Sequence, residues 1–147
     1  MSVYANKVVA VWKSGTAFDL TAGSGGTAVS DGDSQVAMSP MEMVLAALAG
    51  CTGADVIDIL RKKRQDVTRF EIQVFGDRPD THPRVFNDIR VNFVITGHAV
   101  DPEAVRRAIE LSETKYCSVS AMLRETATFK IDFEIHETEA LSAQARA

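Results

Sequence analysis

The stretch that most constrains this chain is SPMEMVLAALAGCTGADVIDILRKKR, residues 39–64. Ser39 can cap a helix, Pro40 fits a first turn where no amide hydrogen bond is lost, and Glu42 completes a Ser-x-x-Glu capping box. Residues 43–54 carry no charge, and apolar or small side chains recur on every face rather than as a stripe. That is the pattern of a long helix surrounded by protein. The uncharged run is shorter than the roughly 18 residues a bilayer span needs. Asp55, Asp58 and the basic 61–64 patch follow at once, so no membrane association is expected.

Everything else arranges itself around that helix. Residues 8–12, Val-Val-Ala-Val-Trp, are β-prone within a first strand region at 3–12 and end in Lys13-Ser14-Gly15. Residues 16–21 and 27–30 are shorter candidates separated by Gly23-Ser24-Gly25-Gly26, so the first 30 residues read as an antiparallel meander. Beyond the helix, Phe70, Ile72 and Val74 alternate with Glu71, Gln73 and Phe75, and Ile89, Val91, Phe93 and Ile95, then Phe129, Ile131, Phe133 and Ile135, repeat the period. A period of two marks strands with one buried face. A turn-rich stretch at 76–83 separates the first two of these strands. Asp101 and Pro102 open a second helix whose inward face is Val105, Ala108, Ile109 and Ser112, and a short third helix starts near Ser118 and runs to Arg124. The fold class is α+β: one domain at 1–137 and a small polar tail at 138–147 expected to fray.

Composition narrows the function. A net charge of −4 and a pI near 5.3 argue against a nucleic-acid surface. The N-terminus lacks the apolar core of a secretory signal, which makes the cytoplasm the expected location. There the two cysteines are expected to be free, catalytic or redox-active rather than a structural pair. The cysteines and the histidines, His82, His98 and His136, lack the close spacing of a zinc site. No glycine-rich phosphate loop joins a strand to a helix, so neither metal nor cofactor is implied.

Three residues are candidates for chemistry. Cys51 lies between Gly50 and Thr52, where little bulk would block a substrate; it reads equally as a packing cysteine at a close helix approach. A mid-helix site supplies no terminal dipole to a thiolate, and Asp55 shares its face, so reactivity there requires a nearby cation. Cys117 precedes the third helix, with Lys115 close by, and local physics alone makes it the first choice of nucleophile; a structural cysteine at a turn is the competing reading. Glu42 can orient a substrate or a basic group, although the capping box accounts for it without function. On a regular helix, at about 100° per residue, it lies roughly opposite Cys51.

The succession SPMEMVLAALAGCTGADVIDIL, HPRVFNDIRVNFVITG and ELSETKYCSVSAML resembles the OsmC/Ohr family, within it the OsmC-like branch of redox proteins, over nearly the whole chain to about His136. The resemblance implies an OsmC-like fold, with antiparallel sheets wrapped around long central helices in an intertwined homodimer whose active sites lie at the interface. It implies thiol-dependent reduction of organic hydroperoxides or hydrogen peroxide in oxidative-stress defence. In that scheme Cys51 is the peroxidatic and Cys117 the resolving residue, Glu42 is the candidate for the family's glutamate, and an unidentified dithiol reductant regenerates the thiols. The alternative is a non-catalytic dimer that binds a small apolar or thiol-reactive ligand at the interface. Family peroxidases carry an arginine in the N-terminal β region and a glutamate ten residues before the first cysteine. Here no arginine precedes Arg61, Met41 holds the second position, and Lys7, Lys13 or a partner's basic residue are the candidate substitutes.

Overall fold

The computed structural model describes residues 5–138. The first residues of the 3–12 strand region and all but Thr138 of the expected tail therefore lie outside the described residues. The chain divides into two compact units, 1–44 and 45–147.

The first unit holds the expected meander. Strands β1 (Val8–Ser14), β2 (Ala17–Ala22) and β3 (Thr27–Asp31) pair antiparallel in that order, with Trp12 opposite Phe18 and Leu20 opposite Ala28. Gly15, with φ at 51°, turns the first hairpin, and Trp12 Nε1–H donates to the Gly15 carbonyl at 3.0 Å. Gly25, with φ at 96°, turns the second. Asp31 ends β3 and gathers the segment that leads into the helix. Its carboxylate accepts from the Thr16 hydroxyl (2.7 Å) and from the backbone N–H groups of Asp33 (3.1 Å), Gln35 (2.9 Å) and Val36 (3.1 Å). The predicted cap then forms: the Ser39 hydroxyl accepts from Glu42 N–H at 3.1 Å, and Glu42 Oε2 accepts from Ser39 N–H at 2.7 Å.

Helix α1 (Pro40–Lys62) runs on into the second unit without a break. It is followed by β4 (Asp66–Asp77), β5 (Asp88–His98), α2 (Pro102–Leu111), a π-helical turn (Ser112–Tyr116), α3 (Ser118–Leu123) and β6 (Thr128–Glu137). The period-two patterns place Ile89, Val91, Phe93 and Ile95 of central β5 in the core at 5% exposure or less, with Ile72 and Phe133 flanking Phe93 in register. Leu48, Val56 and Leu60 of α1 and Val105 and Ala108 of α2 complete that core. α1 lies close to β4, because a Cβ on Gly53 would collide with Ile72 Cδ1.

Three expectations need correction. The second sheet is not antiparallel throughout: β4 pairs antiparallel with β5, but β5 and β6 run parallel, Phe93 opposite Phe133. Residues 99–127 form a helical crossover that returns the chain to the same end of the sheet, which is what parallel pairing requires. Nor is α1 covered on every side. Ala46, Ala47, Gly50 and Ala54 are exposed, and among the described residues no atom outside the helix lies within 4 Å of where a Gly50 Cβ would stand. Finally, α1 is long and apolar enough, by length and composition, to cross a membrane, its best 18-residue window having a mean hydropathy of 1.8. The apolar residues flanking the uncharged run outweigh the aspartates. Of that window 28% is buried; its buried face packs on protein, and its Asp55 accepts a hydrogen bond from Ser112.

Candidate functional site

The second unit brings Cys51 and Cys117 together. Cys51 is half-buried at mid-α1, Cys117 is 4% exposed, and the two free thiols are near enough for Cys51 to help raise the Cys117 thiol. What delivers Cys117 is the π-turn. The Cys117 N–H bonds back five residues to the Ser112 carbonyl at 2.8 Å, while the Thr114 hydroxyl donates to the Glu110 carbonyl at 2.7 Å and bends the end of α2. Cys117 itself is extended, with φ and ψ at −76° and 103°, and caps α3 through its sulfur, which accepts the Ser120 N–H at 3.4 Å.

That position was expected to favour a thiolate, and it does not. Burial pushes the Cys117 thiol up to about 12, against the pull of the Ser120 N–H; Cys51 and the Glu113 carboxylate push in the same direction as burial. A helix of six residues offers little dipole to set against desolvation. Cys117 therefore holds its proton at neutral pH and is not the sulfur that attacks first.

Beneath the pair runs a polar network that the sequence reading missed. The Ser112 hydroxyl donates to Asp55 Oδ2 at 2.9 Å and so accepts from the Thr52 hydroxyl at 2.9 Å. Thr52 also reaches Glu113 Oε1 at 3.3 Å. Glu113 Oε2 accepts from the Ser120 hydroxyl at 2.6 Å and from Arg124 at 2.7 Å. The Glu113 side chain is 7% exposed and that of Arg124 39%, and the Arg124 guanidinium lies over the Phe129 ring at 4.3 Å. No buried side-chain nitrogen or oxygen among the described residues lacks a partner. A sequence signal did exist: Glu113, Cys117, Ser120 and Arg124 fall at intervals of four, three and four, a helical stripe across a helix break.

Glu42, in the first unit, holds Ser39 N–H and the Ser34 hydroxyl (3.5 Å) on Oε2. The Ser39 backbone N–H, then its hydroxyl, hold the Glu42 carboxyl below the usual glutamate range. Lys13 is paired with Asp19 at 3.3 Å. Among the described residues no group of three or more His, Cys, Asp or Glu is placed to hold a metal. A groove of about 390 Å³, lined by Ile109, Glu113, Ile131 and Phe133 among others, opens beside Glu113 and falls within the size range of small-molecule sites.

Comparison with known proteins bears on the family and the fold. The family model for OsmC-like protein matches residues 31–132. Protein YhfA of Escherichia coli K12 is 41% identical over 125 residues, covering 84% of this chain and 93% of its own. The crystal structure of a hypothetical protein from Aquifex aeolicus VF5 superposes with a TM-score of 0.84 at 31% identity, covering 93% of this chain and all of that one. The organic hydroperoxide resistance protein OhrB of Bacillus subtilis shares the fold at a TM-score of 0.59 and 19% identity, over 90% of this chain and 100% of its own.

Proposed function

The chain belongs to the OsmC-like protein family, and from that premise we propose that it is a thiol-dependent reductase of organic hydroperoxides or hydrogen peroxide, acting through Cys51 and Cys117 as a cytoplasmic homodimer. The observation that carries this reading is the meeting of two free thiols from α1 and from the exit of the π-turn. A structural neighbour named for organic hydroperoxide resistance supports it. Cys51 is the more accessible sulfur, with Gly50 and Ala54 bare beside it. Its thiolate attacks a peroxide oxygen, the O–O bond breaks, and the departing alkoxide takes up a proton and leaves as alcohol. Cys51 is left as the sulfenic acid. Cys117 then forms the S–S bond, and its proton leaves with the sulfenic oxygen as water. An external dithiol reductant returns both sulfurs to thiols. Glu42 enters this reading through the start of α1, which its carboxylate holds.

The test is peroxide consumption by the reduced dimer with cumene hydroperoxide and dihydrolipoamide. Cys51→Ser should abolish it. Cys117→Ser should consume one equivalent and stop at a sulfenic acid that dimedone traps. Consumption unchanged in Cys51→Ser sinks the proposal. The exposed small-residue face of α1 and the groove beside Glu113 favour one second reading, a non-catalytic dimer that binds a small apolar or thiol-reactive ligand. A Cys51 that consumes no peroxide and alkylates no faster than free cysteine would select it.

A further inference from the structure

We propose that Glu113, anchored by Arg124, is the positioning residue that holds α1 in register with α3 so that Cys51 and Cys117 meet. The inference rests on the two-cysteine reading above and deepens it.

The placement of the carboxylate is the first argument. Burying an acid carries a large desolvation penalty, and a well-packed apolar side chain would stabilise the same space at least as well. Where such groups persist in a core, fixing one register is their best-attested use. Glu113 has an assigned partner for each oxygen. Oε1 lies 3.3 Å from the hydroxyl of Thr52, the residue after Cys51 on α1, whose one proton is shared between Glu113 and Ser112. Oε2 accepts from the hydroxyl of Ser120 on α3, whose backbone N–H in turn donates to the Cys117 sulfur. One carboxylate thus grips the immediate neighbourhood of both sulfurs.

The second argument is that the anchor is itself immobilised. Arg124 donates to Glu113 Oε2 at 2.7 Å, its Nε lies 3.4 Å from the Ser120 hydroxyl, and its guanidinium stacks on Phe129 at 4.3 Å. Ser112 gives a parallel tether: its hydroxyl donates to Asp55 on α1, and its carbonyl accepts the Cys117 N–H. Two polar bridges therefore join α1 to the segment that carries Cys117. Disulfide closure is sensitive to displacements well under an ångström, so holding both sulfurs in near-attack geometry raises the rate of closure and the equilibrium for it. The hydrogen bonds of Glu113, Arg124, Ser112 and Ser120 go to groups other than the Cys51 sulfur, so formation of the sulfenic acid is expected to be insensitive to their loss.

The test uses the full-length protein and two readouts. The first is the Cys51–Cys117 disulfide equilibrium in glutathione redox buffer, which requires no peroxide. In Glu113→Ala the equilibrium constant should fall about tenfold, and Glu113→Gln, which keeps the shape and part of the hydrogen bonding, should recover part of that loss. The second is one equivalent of cumene hydroperoxide followed in time. Sulfenic acid should appear on Cys51 at the wild-type rate, while closure slows about tenfold and dimedone trapping rises accordingly. A general loss of structure would slow both steps. Should Glu113→Ala fail to fold, Thr52→Val removes the Thr52 contacts to Glu113 and Ser112, Ser120→Ala removes the Ser120 hydroxyl, and both leave the Glu113–Arg124 pair; each should lower the glutathione constant by about threefold or more. Wild-type constants in the tether variants overturn the proposal, as does a wild-type protein that never forms this disulfide. A wild type that consumes no peroxide, but whose disulfide equilibrium weakens in the variants, overturns the peroxidase reading and leaves the positioning role standing.

Discussion

Glu113 and Arg124 make a pair of unequal exposure, 7% and 39%, and that inequality fixes what each substitution should do. Removing one partner of a fully buried pair typically costs about 3–5 kcal/mol, because a charge is left uncompensated in the core. Water reaches Arg124, so Arg124→Met should destabilise by less, about 2 kcal/mol in urea unfolding. Once Glu113 is Gln, the same arginine substitution should cost about 1 kcal/mol less, a coupling expected of residues that share a network. Additive losses would mean that the ion pair contributes nothing and that Arg124 acts through its stacking on Phe129 alone. At this scale the sequence was legible where a residue acts through its own helix. The Ser39–Glu42 box and the Asp101 cap, whose carboxylate accepts Glu103 N–H at 3.0 Å, are local and both form. Glu113 was not legible, because whether a glutamate near a helix end faces water or core depends on a π-turn that adds one residue to the register. Cys117 misled for a related reason: a helix N-terminus can be read from sequence, while the burial that outweighs it cannot.

Among elements, the loop between β3 and α1 is held by a single carboxylate. Four hydrogen bonds converge on Asp31, led by the Thr16 hydroxyl and followed by the N–H groups of Asp33 and Val36, and they hold its carboxyl down at about 2 from an ordinary 3.8. A carboxyl lowered on folding stabilises the native state above its unfolded value, and that contribution fades as pH falls toward the folded one. The wild type should therefore lose stability between about pH 4 and pH 2 partly through this group. Asp31→Asn should be less stable at pH 7 and flatter across that window, measured by thermal unfolding at stepped pH. A parallel pair of curves would show that the loop does not depend on the charge. At the next step of the chain, Ser39→Ala should cost about 1 kcal/mol through the lost cap. The strands themselves were plain in the sequence, since a period of two sets which face is buried. Their pairing direction was not, because a half-buried strand carries the same alternation beside a parallel or an antiparallel neighbour. The 29 residues between β5 and β6 held the only clue, being far longer than a hairpin loop needs.

At the scale of the molecule, the sequence of α1 predicts a helix with protein on every side, and the single chain covers one face of it. Leu48, Thr52, Gly53, Val56 and Leu60 are buried, while Ala46, Gly50 and Ala54 form a bare line at four-residue spacing. In the first unit Val8, Val11 and Trp12 of β1 are each 60% exposed or more. This apolar exposure is the observation behind the homodimer proposed above. Gly50 separates the alternatives. With open space around its missing Cβ in the single chain, Gly50→Ala should stabilise an uncovered helix by about 0.5–1 kcal/mol, the ordinary gain for replacing a helix-interior glycine. If two α1 helices instead cross at Gly50, a methyl group there holds the backbones apart and Gly50→Leu does so far more. Sedimentation equilibrium should then show a dimer for the wild type, weaker association for Gly50→Ala and monomer for Gly50→Leu. A wild-type monomer whose Gly50→Ala variant melts at a higher temperature would remove the dimer from the proposal and leave the thiol pair as a site complete within one chain.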